Sequence, residues 1–139
     1  MRHYYSTQLP SISARMMAAS DLCVQPRHLK IVPLNMHGFN QGFSATDEVI
    51  KLIKPNVFLC QEHWLTPANL HNFHDHFNDY FAFGSSVMSN EVEAGILRGR
   101  PFRGSMSLIK NDLRFSSKTI HSDDRFSVIK LANFLIINV

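Results

Sequence analysis

The chain has 139 residues, of which 45% are hydrophobic and 18% charged. That is long enough to bury the core of one domain, and it excludes a wholly disordered chain or a disulfide-dense miniprotein. A formal charge of +3 with a pI near 9.1 leans slightly toward anionic partners, as many soluble domains do without touching nucleic acid.

Residues 1–27 set Arg2, Arg15 and Arg27 against the lone acid Asp21, with several serines and no sustained apolar period. The pattern weakly resembles a transit peptide, but an unstructured leader with no address explains the composition better. Globular patterning starts near His28, so the expected division is a disordered leader over 1–27 and a domain over 28–139.

Residues 29–34 read as a first strand, although Pro33 removes a donor from its ladder. Residues 36–42, with two glycines, read as a loop. Residues 46–53 read as a short helix with Val49, Ile50 and Ile53 on one face, ended by Pro55. The run 56–61 is apolar almost throughout, as in a strand buried on both faces. Thr66-Pro67 opens a second helix with a capping hydroxyl and a proline at the first helical position. Leu70, Phe73 and Phe77 give that helix its buried stripe. A third strand is expected over 80–83, a loop over 85–103, and further strands over 105–109, 117–120, 126–131 and 134–139. Helices alternate with strands early and strands follow strands late, the pattern of an α/β layered sandwich. The final run, Phe134-Leu135-Ile136-Ile137-Asn138-Val139, reads as a mid-sheet strand covered on both faces, so the chain is expected to be the first part of a larger domain. The stretch 131–139 is too short, and too interrupted by Asn133 and Asn138, for a membrane span.

Of the two cysteines, Cys23 and Cys60, the second sits inside an apolar strand and reads as a small buried hydrophobe. A reducing compartment, nuclear or cytoplasmic rather than secreted, fits best.

The most informative unit is Val57-Phe58-Leu59-Cys60-Gln61-Glu62-His63-Trp64-Leu65. A buried strand that delivers a carboxylate to its own C-terminal edge can hold a divalent metal over a sheet. Taken alone, Glu62 is better read as an exposed strand-end acid, and Asn35 reads equally well as a turn-former ahead of Gly38. Cys60, His63, His71 and His74 superficially spell a zinc set. The spacing is short, Cys60 should face the core, and His71 can instead pair with Asp75 one turn on. Trp64 and Phe77 read as packing residues.

Three segments in order resemble endonuclease/exonuclease/phosphatase domains. They are Leu34-Asn35-Met36-His37-Gly38-Phe39-Asn40, Gln61-Glu62-His63-Trp64-Leu65 and Gly95-Ile96-Leu97-Arg98-Gly99-Arg100-Pro101-Phe102. More narrowly, they resemble the apurinic-type endonuclease that precedes reverse transcriptase in non-LTR, LINE-like retrotransposons. The resemblance runs from about residue 29 to 139. It implies an incomplete N-terminal part of a four-layer α/β sandwich. It also implies that Glu62 binds a magnesium ion, that Asn35 orients this carboxylate, and that DNA is the partner. Magnesium suits such a site because it takes few protein carboxylates and keeps several waters. Arg98, Arg100 and Arg103 fall in a glycine-containing loop that would contact the phosphate backbone. Relatives usually carry glycine where this chain has Arg103, a position suited to positive φ or close backbone approach. Arg125 matches an arginine frequent in the family and receives no firm role.

Family members complete the site with an Asn-Val-Tyr-x-Pro segment, a Gly-Asp-x-Asn-type motif and a Ser-Asp-His-type motif. In this sequence Asn138-Val139 matches only the start of the first. The expectation is a fragment of a magnesium-dependent DNA endonuclease of retroelement type, inactive alone. Two alternatives stay open: a non-catalytic nucleic-acid-binding or interaction module, and a phosphatase of the same superfamily. No membrane partner is expected, and the oligomeric state is not legible.

Overall fold

The computed structural model describes residues 28–88, 95, 102–123 and 125–139. The expected leader over 1–27, and most of the loop carrying Arg98 and Arg100, lie outside the described residues. Four strands, β1 (Ile31–Asn35), β2 (Val57–Gln61), β3 (Tyr80–Ser85) and β4 (Ser105–Lys110), form one sheet in the order β1-β2-β4-β3. β1 and β2 are parallel, which demands a crossover, and helix α1 (Phe39–Ile53) provides it. β4 runs antiparallel to both β2 and β3. A second, antiparallel sheet consists of β5 (Ser117–Ser122), β6 (Ser127–Leu131) and β7 (Phe134–Asn138).

Alternation along β2 explains its continuous apolar run. Phe58 and Cys60 pack with Met36, Phe39, Phe73 and Phe77 beneath the helices. Val57 and Leu59 pack with Ile129, Leu131 and Ile136 of the second sheet. Helices, first sheet and second sheet therefore form three successive layers, each large buried side chain contributing roughly 1.5–3 kcal/mol. Asn138 joins the two sheets by polar contacts, for it is 1% exposed and reaches groups on β2 and β4.

Two expected helices take a different form. The helix expected over 46–53 begins at Phe39, so residues 39–42 are helical rather than loop. Its start has no side-chain cap. Instead the carbonyls of Glu62 and His63 accept the N–H groups of Gly38 and Phe39, both at 2.7 Å. A cap supplied from another strand leaves no local signature. The second expected helix is broken into a 3-10 turn at Pro67–Asn69 and one short helix, α2 (Asn72–His76). Thr66 makes no capping bond there, although Phe73 and Phe77 are buried as the stripe required. β7, the run expected to be covered on both faces in a larger domain, is paired only with β6 among the described strands. Ile136 and Asn138 face inward, while Leu135 and Ile137 are 62% and 54% exposed. One face of this strand is therefore bare among the described residues, an arrangement prone to association.

Candidate active site

Parallel pairing places Asn35 directly opposite Gln61, so the loops that follow β1 and β2 leave the sheet side by side. They are bonded together: the carbonyl of Gln61 accepts the Met36 N–H at 2.8 Å, one step before the two bonds that start α1. On its other side the β2 loop meets the approach to β4. There the Arg103 carbonyl accepts the Trp64 N–H at 2.9 Å and the Gly104 carbonyl accepts the His63 N–H at 3.4 Å. His37, Glu62, Trp64 and Arg103 all adopt left-handed backbone, with φ of 50, 52, 55 and 57°. Such geometry costs on the order of 1–3 kcal/mol per residue and gathers where function constrains a backbone.

His63 pins this junction. It is fully buried, its Nδ1 accepts the Leu65 N–H at 3.0 Å, and its Nε2 lies 3.1 Å from the Ser85 carbonyl. Those two bonds assign the neutral tautomer protonated on Nε2. Burial pushes its pKa down to about 4, partly opposed by the Ser85 bond. Gly104 lies against the ring, where an added Cβ would sit 2.5 Å from Cε1 and Nε2.

At the strand ends the three segments enclose an open cleft of about 470 Å³, lined by Asn35, Gln61, Glu62, Arg103, Ser105 and Arg125, with Gly104 and Val139. Glu62 is 41% exposed at its side chain, with His37 Nδ1 3.7 Å from one carboxylate oxygen. The Asn35 amide oxygen accepts the His37 N–H at 3.0 Å. The turn-forming reading of Asn35 and its place in the cleft are thus both realised. Gln61 donates to the Asn138 oxygen at 2.8 Å, while Asn138 donates to Met106 O and Ser107 Oγ at 3.2 and 3.3 Å. This network braces the cleft floor.

Asn35, Glu62 and Arg103 are brought together; Arg98 and Arg100 lie outside the described residues. Sequence reasoning gave no role to Gln61, Ser105 or Arg125, which share the cleft. The apparent zinc set does not assemble, and among the described residues no three His, Cys, Asp or Glu side chains cluster for a metal. Cys60 is buried with its thiol pKa pushed far up by desolvation, and both His63 nitrogens are engaged. His71 lies 3.8 Å from Asp75, as its helical spacing predicts. Among the described residues the cleft offers one half-exposed side-chain carboxylate, a donor that could hold a magnesium ion with most of its waters retained.

No protein-family model matches the chain, and no curated protein matches it. Among solved structures it is similar to NExo, a 3′ phosphatase from Neisseria bound to product DNA hairpin. That match has 12% identity and a TM-score of 0.56, and it covers 81% of this chain and 41% of that one. Two D. rerio TDP2 structures also match at 17% identity over 78% of this chain. One is humanized by 14 mutations, with a TM-score of 0.44 and 44% of its chain covered. The other is complexed with single-strand DNA product, with a TM-score of 0.45 and 43% covered. The match to NExo shows a mixed α/β architecture of the endonuclease/exonuclease/phosphatase fold. The chain spans less than half the length of the matched structures. At such identities the likeness concerns fold alone.

Proposed function

We propose that the chain forms the Glu62 side of a magnesium-dependent DNA phosphodiesterase cleft, of the retroelement endonuclease type. The observation that carries this reading is the meeting of Asn35 and Glu62, at the ends of adjacent parallel strands, in a cleft also lined by two arginines. Glu62 would hold the ion and Asn35 would donate to the same carboxylate without competing for the metal. A bound magnesium ion supplies charge stabilisation at phosphate oxygens. Arg103, with Arg98 and Arg100, would hold the DNA backbone in register by contacts that carry no sequence information.

Among the described residues the cleft is lined by one side-chain carboxylate, and the histidine beside it, His37, lies 3.7 Å from that same carboxylate rather than across the cleft as a second acid–base group. General acid–base groups typically contribute about 10²–10⁴-fold to rate. Cation-assisted DNA binding with negligible hydrolysis is therefore expected of this chain by itself. DNA retention measured by filter binding should strengthen with magnesium over EDTA, and Glu62→Ala should remove that gain. Equal retention in magnesium, in EDTA and in Glu62→Ala would overturn the proposal in favour of a salt-sensitive, non-catalytic binding module. The phosphatase alternative draws on the match to a 3′ phosphatase. Magnesium-dependent release of phosphate from a 3′-phosphorylated oligonucleotide, without nicking of supercoiled plasmid, would favour it.

A further inference from the structure

We propose that the chain pairs with a second copy of itself through the open edge of β7, joining two three-stranded sheets into one sheet of six strands. The two edges of this sheet are unlike each other. β5 carries Lys118 and His121, both exposed, and its register with β6 shifts between Thr119 and His121. Charged side chains and bulges are what keep an edge from pairing with another chain. β1, an edge of the first sheet, is interrupted by Pro33, which serves the same end. β7 has none of these guards. Its five residues include no charged side chain, proline or glycine, and all five pair with β6 in unbroken register. Every second residue of such a strand turns its N–H and C=O away from its neighbour, so β7 presents a row of free backbone donors and acceptors.

This strand fits its own copy. Antiparallel pairing about a two-fold axis at Ile136 sets Leu135 opposite Ile137 of the second copy, and Ile137 opposite its Leu135. Both side chains are on the solvent face, whereas Ile136 packs in the core and Asn138 is buried. A one-residue slip would set outward side chains against inward ones, so the buried face fixes the register. Charge favours the same contact. Each copy carries a formal +3, yet the β7 edge is an uncharged strip, with Lys130 one strand back opposite Leu135. Phe134, Leu135, Ile137 and Val139 are each about half exposed or more. Their free apolar surface is on the order of 500 Å² per copy, so two copies offer the ~1,000 Å² that a specific interface needs. Main-chain bonds between the strands add affinity, as in other pairings at a sheet edge.

The same register sets Phe134 of the second copy opposite Asn138, and the β6–β7 turn of that copy beside Val139. Val139 lines the cleft that Glu62 lines. Each copy therefore extends the wall of the other's cleft, and the two clefts lie at opposite ends of the paired strands.

The test is sedimentation equilibrium of the full chain in EDTA, without DNA. The expected result is a reversible equilibrium between the 15.9 kDa chain and a species of twice that mass. Leu135→Lys should weaken the association by about tenfold or more. Leu52→Lys makes the same change at a 76% exposed position on α1, and should leave the equilibrium unmoved. Hydrogen exchange supplies a second readout: the Leu135 and Ile137 amides should exchange faster on dilution, while those of β3 keep their rates. A monomer at every concentration would overturn the proposal, and so would open-ended growth beyond two copies. A dimer that Leu135→Lys leaves intact, that Leu52→Lys weakens equally, or that leaves β7 exchange independent of concentration would also overturn it. Since neither metal nor DNA is present, failure of the magnesium-dependent reading leaves these readouts standing.

Discussion

Acidification below the ordinary imidazole range should destabilise this protein through one buried side chain, His63. His63 is buried and neutral, with a pKa of about 4 against 6.5 for a free imidazole. The unfolded chain therefore binds a proton below 6.5 that the folded chain refuses until about 4. A depressed folded-state value means the stabilisation is complete above 6.5 and erodes as pH falls, until it is gone just below about 4. At ~1.4 kcal/mol per tenfold in proton affinity, the full effect is about 3 kcal/mol, most of it lost by roughly pH 4.5. That is a large share of the ~5–15 kcal/mol total of an ordinary domain. Asp123 does not confuse the measurement: its carboxyl, held at about 2 against 3.8, loses its contribution only below that ordinary value. Urea unfolding between pH 7.5 and 4.5, followed by the single tryptophan, Trp64, reads the change directly. A flat stability profile across that window would show that burial does not hold His63 neutral, as would NMR titration of its ring near the free value in the folded protein.

Gly104→Ala should destabilise the fold by about 1–3 kcal/mol in urea melts, because φ is +93° and the new Cβ meets the His63 ring. Wild-type midpoints in that variant would show that the ring can move aside. Asn138→Ala should cost roughly 1–3 kcal/mol, since it strands the Gln61 amide and the bonds to Met106 and Ser107 at the join between sheets. Hydrogen exchange should then quicken in β7 more than in β3. Ile137→Lys should raise the concentration at which light scattering begins, because this 54% exposed residue sits on an edge strand. Unchanged or worse scattering would mean that another surface drives association.

The β2 run was legible because its residue types and its length both demanded a strand buried on two sides, and Val57 to Cys60 obey. Glu62 was legible as the first polar residue beyond that strand. Helix α1 was half legible. Its apolar face over Val49 and Ile50 carries a period, whereas its first turn is stabilised by carbonyls of Glu62 and His63 that no local pattern announces. His63 looked like a member of a metal set because sequence spacing says nothing about which nitrogen meets which backbone group. Gln61 and Asn138, which are 77 residues apart in the chain, are joined only by the packing of the two sheets. Arg125 had a weak signal, the Asp123 turn before it, but nothing in the sequence shows that this turn abuts the end of β3.

Paramagnetic broadening by manganese, used in place of magnesium, reports where a divalent ion sits on the protein. If a divalent ion belongs beside Glu62, the amide signals of Asn35, Glu62 and Ser105 should fade at the lowest concentrations, and Glu62→Gln should abolish this. Fading that begins instead around Asp47, Asp75 or Asp112, or that persists unchanged in Glu62→Gln, would contradict the account.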